Sequence, residues 1–160
     1  MDFNSMEEAI RCAKKYLEDL LSFFGLNTDV YATSEDEVIE LEVPSTHLNG
    51  FLIGQRGDTM RALQYMVSNT LKNKGYAHTR VNVDIAEYKK QRAERLAAQA
   101  EEWVRQVKDT AELMHLKPMN AADRRTVHKV AQEWGVTSES EGEGPSRHIV
   151  LKPSVAESAL

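Results

Sequence analysis

Two glycines three residues apart, Gly54 and Gly57, separate the segment THLNGFLI from a run with apolar residues at Met60, Leu63, Val67 and Leu71. The run has the spacing of one helix face, and the segment before it is long enough for only a short helix. Glycine suits backbone positions closed to side chains, so the chain is expected to turn sharply at Gly54-Gln55-Arg56-Gly57 and to admit the backbone of another molecule there. The helix that follows would offer free N–H groups and the positive end of its dipole to an anion. Arg56 adds a full charge. Taken alone, a G-x-x-G tetrapeptide is equally a plain tight connection, and its surroundings have to distinguish the two.

Upstream, Ser5-x-x-Glu8 has capping-box form, and Met6, Ile10, Ala13, Leu17, Leu20, Leu21 and Phe24 keep helical spacing until Gly25. TDVYATS and EVIELEV read as a hairpin about Glu35-Asp36, and RVNVDI alternates as a strand from Arg80 to Ile85. Asp58 or Thr59 is expected to cap the helix after the glycines. The order is helix, strand, strand, helix, glycine loop, helix, strand. A long helical pattern then runs from Glu87 to Met114 through Ala93, Leu96, Ala100, Val104, Val107 and Ala111, with Lys89, Lys90, Arg92 and Arg95 in its first part. Pro118 is expected to end it, and Asn120 or Asp123 to cap a last helix that stops at Gly135. SESEGEGPS reads as a turn between hairpin arms at Val136 and RHIVLK. The pattern predicts an α+β protein with domains at 1–86 and 87–153 and a disordered tail at 154–160.

The net charge of −5 conceals a change of sign along the chain. Residues 1–45 carry 3 basic and 11 acidic side chains, whereas 54–95 carry 9 and 4. A basic middle in an acidic chain is a restricted footprint for a polyanion, although a solvated charged helix gives the same count. No apolar run reaches the roughly 20 residues of a bilayer span. The start MDFNSMEEAI has neither the basic region nor the apolar core of a signal peptide, and the lone Cys12 cannot form a disulfide within the chain. A cytoplasmic protein is expected.

A second motif is Arg124-Arg125-Thr126-Val127-His128-Lys129. At 100° per residue, Val127, Val130, Ala131 and Trp134 point one way, and Arg124, Arg125, His128 and Lys129 lie about 140° away. Arg124 and His128 are four apart, so a guanidinium and an imidazole could meet one phosphate or base. A solvated face is the plainer reading. Catalysis has no candidate: there is no nucleophile motif, P-loop or dinucleotide fingerprint, and Ser34, Ser138 and Ser140 have no histidine adjacent in sequence. Glu139, Glu141 and Glu143 lack the spacing of a calcium loop, and histidines 47, 78, 115, 128 and 148 lack that of a metal site. No enzyme activity, cofactor or metal is expected.

The glycine loop, with Leu52-Ile53 before it, Leu63-Gln64-Tyr65 after it and the α-β-β-α-α-β order over roughly residues 5–86, resembles the bacterial (type II) K-homology domain. The resemblance implies that Gly54, Gln55, Arg56 and Gly57 clamp the backbone of about four nucleotides of single-stranded RNA or DNA. Bases would lie on an apolar groove, with Ile53, Met60 and Val81–Val83 as candidates, although a place in the core accounts for these apolar residues equally well. Gln55 stands where such loops often carry a second basic residue, which weakens the expected pull on phosphate. PMNAADRRTVH and SESEGEGPSRHIVLKP resemble the R-three-H domain, which implies contacts to single-stranded nucleic acid by Arg124, Arg125, His128 and Lys129. The two in this order resemble one bacterial family, Jag, also called SpoIIIJ-associated or KhpB type. That resemblance implies an RNA chaperone or post-transcriptional regulator linked to cell-wall homeostasis and cell shape, acting with a small single-K-homology partner. Many members carry a further small N-terminal domain and a linker, and neither is present in this sequence. The alternative is a protein-interaction adaptor whose K-homology fold is a dimerisation surface.

Overall fold

A computed structural model describes residues 2–154 of the chain, so the expected tail lies, except for Ser154, outside the described residues. The chain divides into two compact units, Met1–Lys89 and Lys90–Leu160.

The first unit starts with α1 (Met6–Phe23), whose N-cap Ser5 accepts from the Glu8 N–H. Its apolar stripe buries Ala9, Ala13, Leu17 and Leu21, at about 1.5–3 kcal/mol for each leucine. β1 (Tyr31–Glu35) and β2 (Val38–Val43) pair antiparallel with Glu35 opposite Val38. The turn is therefore Asp36-Glu37, one residue later than expected, and both residues have positive φ, at 49° and 63°. β3 (Val81–Ile85) pairs parallel to β2, giving the sheet order β1-β2-β3. A parallel pair needs a crossover, and here it consists of α2 (Asn49–Ile53), one 3-10 turn at Gln55–Gly57 and α3 (Asp58–Asn73). The N-cap of α3 is Gly57, not Asp58 or Thr59. Strand alternation sends Ile39, Leu41, Val43, Val81, Val83 and Ile85 into the core with α1 and α3. It leaves Glu40, Glu42, Asn82 and Asp84 on the other face.

α4 (Tyr88–Thr110) begins at the boundary between the units and buries Ala100, Val104 and Val107 in the second. It ends earlier than expected because Ala111 turns left-handed, with φ 55°. The following residues form a strand that helical periodicity had hidden, β4 (Met114–His115). α5 (Ala121–Glu133) is capped by Asn120, whose Oδ1 accepts from the Asp123 N–H at 2.9 Å. SESE is itself strand, since β5 (Thr137–Glu141) and β6 (His148–Lys152) pair antiparallel and confine the turn to the glycine-rich stretch between them. β6 is central, in the order β4-β6-β5. Val127, Val130 and Ala131 join Ile149, Leu151 and the α4 residues in one core. Asp123 is the one buried charged side chain among the described residues. It receives a two-pronged bond from Arg92, at 2.6 and 2.8 Å.

Candidate nucleic-acid interface

The glycine loop of the first unit is built from conformations that few side chains permit. Gly54 has φ 71° and ψ −169°, and a Cβ there would lie 2.3 Å from Thr59 Oγ1. Gly57 has φ 79°, and a Cβ there would lie 3.1 Å from the Tyr88 ring. Packing closes Gly54 to a side chain and the positive φ of Gly57 strains any other residue there, reasons independent of any approaching ligand. Gln55 and Arg56 between them are exposed. Arg56 is itself left-handed, at φ 53° and ψ 27°, which costs about 1 kcal/mol. Arg61 holds this conformation by donating from Nη1 to the Arg56 carbonyl at 2.9 Å, and its other nitrogen pairs with Asp58. The negative charge of Asp58 suits the first turn of α3 but offsets the attraction that the helix end and Arg56 exert on an anion.

Beside the loop is an open cleft of about 330 Å³ lined by Arg61, Gln64, Tyr65 and Ser68 of α3 together with Val38, Arg80 and Val81. Its walls are tied together. Gln64 Oε1 accepts from the Val83 N–H at 3.0 Å, and the Ser68 hydroxyl donates to the Thr79 carbonyl at 2.7 Å. Tyr65 is exposed, and an aromatic face near two guanidinium-bearing side chains is a surface on which a base can stack. Of the expected groove residues, Met60 and Val83 are in the core and Ile53 is half-buried against it, while Val81, though nearly buried, lines the cleft. The strand alternation that makes Val81 and Val83 apolar also turns their side chains inward. In the sequence, Tyr65 figures only as part of the pattern after the glycines and Arg61 is not singled out, although the four-residue step between them places both on one side of α3 beside the cleft.

In the second unit α5 carries its four expected residues unequally. Arg125 and Lys129 are exposed, while Arg124 is half-buried and donates from Nη1 to the Met119 carbonyl at 2.7 Å. Arg124 lines a cleft of about 490 Å³ with Pro118, Asn120, Gly144 and Pro145. His128 does not offer its nitrogens outward. Nδ1 lies 2.7 Å from the Ser138 hydroxyl and Nε2 lies 3.0 Å from that of Ser140. The two serines alternate on β5 toward α5, a pairing invisible to a search for neighbours in sequence. A neutral imidazole donates at one nitrogen and accepts at the other, so this arrangement orients the ring and engages both its N–H, which a phosphate would need, and its lone pair. Of the expected basic group on α4, Arg92 is committed to Asp123 and Lys89 bonds to Asn82.

Burial, and secondarily the charge of Arg124, lower the His128 pKa below its ordinary 6.5. The unfolded chain then takes up the proton first as pH falls, so stability from this residue is complete above about pH 7 and is lost as pH drops through 6.5 toward the folded value. Parent protein is expected to lose more stability between pH 7.5 and 5.5 than His128→Gln in urea titrations. Parallel losses would show that the ring is not held neutral.

Residues 94–153 match the family model of the R-three-H domain. An R-three-H domain is thus present within the second unit. The chain is 31% identical over 141 residues to the RNA-binding protein KhpB of Clostridium symbiosum, which aligns with 87% of this chain and 64% of that protein. It is 31% identical over 146 residues to KhpB of Lactiplantibacillus plantarum, covering 91% of this chain and 45% of the relative. To KhpB of Bacillus subtilis it is 26% identical over 147 residues, covering 90% and 70%. Over this aligned stretch the chain is similar to these KhpB RNA-binding proteins. It spans less than two thirds of the length of the first two relatives.

Proposed function

We propose that this chain binds single-stranded RNA, and that its first unit is a bacterial-type K-homology domain. The observation that carries the proposal is the exposed, left-handed Arg56 held between two obligatory glycines at the start of a 16-residue helix. The α-β-β-α-α-β order with parallel β2 and β3 supports it, as do the R-three-H match and the names of the KhpB relatives. In this reading Gly54, Gln55, Arg56 and Gly57 hold the RNA backbone in the domain at 1–86, and Arg124, Arg125 and Lys129 add contacts from the domain at 87–153. His128 fixes the strand behind them. The finer reading is an RNA chaperone or post-transcriptional regulator in the cytoplasm, linked to cell-wall homeostasis and cell shape and assisted by a small single-K-homology partner. It rests on the family resemblance. Among the described residues no helix is long and apolar enough to cross a membrane.

The test is a titration of the whole chain with a single-stranded RNA, its duplex and the matching single-stranded DNA at several salt concentrations. Single-stranded RNA is expected to bind most tightly, with log K falling against log salt at about −0.7 per phosphate contact. Equal affinity for the duplex would remove the proposal. Arg124→Ala should weaken binding more than Lys129→Ala, because a guanidinium fork bordering a cleft grips phosphate in two places; equal losses would place the contact elsewhere. Asp58→Asn should tighten binding about 2- to 5-fold at low salt, since it removes a competing negative charge of roughly 0.5–1 kcal/mol at the helix start. Anisotropy titrations at two ionic strengths check this, and a gain that does not shrink with salt would contradict the electrostatic cause.

An adaptor role has its own observation. Phe23 is 86% exposed at the end of α1, and the adjacent Phe24 packs edge-on against the exposed Phe51 at 5.2 Å. Such aromatic surface suits a protein partner.

A further inference from the structure

The outer face of the second unit's sheet gathers three residues that the sequence keeps far apart. His115 on β4, Glu141 at the end of β5 and His148 at the start of β6 each present one ligand atom, and the three atoms lie within 4.8 Å of one another. Pairing accounts for it: Glu141 is directly opposite His148, and His115 is opposite Val150, two residues along the same face. Ser138 and Ser140 point to the other side, where they hold His128, so this cluster is separate from the proposed RNA-binding surface of α5.

We propose that His115, Glu141 and His148 form a binding site for a divalent transition-metal ion of the zinc class, which ties the three strands together. His115 Nδ1 and His148 Nε2 are 3.2 Å apart, and an ion about 2.05 Å from both would subtend an angle of about 100°, close to tetrahedral. His148 is prepared as a ligand, because its Nδ1 donates to the Ser146 carbonyl at 3.0 Å and leaves the Nε2 lone pair facing His115. Without metal, His115 donates its Nδ1 proton to that lone pair; with metal, the His115 proton moves to Nε2 and the ion takes the position between the rings. Glu139 is engaged by Lys152, so Glu141 is the carboxylate facing the pair. Two imidazoles and one carboxylate suit zinc, nickel or copper, whereas magnesium and calcium prefer oxygen. Three protein ligands leave a fourth position to water. β4 has only two paired residues, so a cross-link from His115 to β5 and β6 would give this short strand a second anchor.

Titrating zinc into the untagged full chain, followed by calorimetry and histidine ¹⁵N spectra, tests the proposal. One equivalent should bind, the His115 nitrogen shifts should report the change of tautomer, and the second unit should melt at higher temperature. Magnesium should produce none of these effects. His115→Asn and Glu141→Gln, both at exposed positions, should each weaken zinc binding about 10- to 100-fold with unchanged circular dichroism. His47→Asn should leave binding unchanged. If either of the first two variants loses its fold, the other carries the test. Failure to bind one equivalent, unchanged affinity in the folded variants, or equal binding of magnesium would overturn the site.

Discussion

Replacing Gln55 and Arg56 together by aspartate is expected to cost about 2–4 kcal/mol of single-stranded RNA affinity, roughly 30- to 1,000-fold. The change moves the loop by three units of charge, beside a helix start where Asp58 is already negative. Little of the loss should come from unfolding. Both side chains are exposed, and aspartate tolerates the left-handed conformation at position 56 better than most residues. Anisotropy with a short single-stranded RNA measures the loss, and circular dichroism with a melting curve checks the fold. An unchanged affinity with an unchanged melting temperature would take this loop out of the interface and favour the adaptor reading, in which Phe23 and its aromatic neighbours carry the function.

Removing the carboxylate of Asp123 is expected to destabilise the second unit by about 1.5–3 kcal/mol. A fully buried pair broken from one side loses about 3–5 kcal/mol. Here the Arg92 side chain is 43% exposed, so water can solvate it once its partner is gone, and the loss is smaller. Asp123 also stands in the first turn of α5, where its charge meets the helix dipole for a further few tenths to 1 kcal/mol. For a domain of this size the expected result is a melting temperature lower by roughly 6–20 °C. Asp123→Asn keeps an oxygen acceptor and should lose less. Arg92→Ala measured alone and combined with Asp123→Ala gives the coupling between them. Additive losses, or a drop below 0.5 kcal/mol, would mean that the two-pronged bond does not stabilise the unit.

Much of the architecture is a local property of the chain. The leucines of α1, the alternation of EVIELEV and RVNVDI, and the apolar stripe of α5 are set by spacings of two or of three to four residues. Each of these segments buries the face its pattern indicates. Errors occurred where two patterns overlapped: Ala111 and Met114 continue the helical period of α4, yet Met114 pairs with Leu151. The loop was legible for a related reason at Gly54, whose positive φ and contact with Thr59 lie within five residues, whereas the contact of Gly57 with Tyr88 spans 31 residues and no local pattern shows it.

What the sequence by itself determined is therefore the order of the helices and of β1, β2 and β3, with their buried faces, because these depend on residues within one or two turns of each other; the short β4, the end of α4 and the exact turns were set by tertiary pairing. Only the tertiary structure decided which polar groups meet. His128 is ten residues from Ser138, Arg92 is 31 from Asp123, and His115 is 33 from His148. Each meeting depends on strand register and on the packing of α4 and α5 in the second unit. A shift of one residue in β5 would turn Ser138 and Ser140 away from His128 and Glu141 away from His148, with almost no change in the helical and strand patterns that the sequence displays.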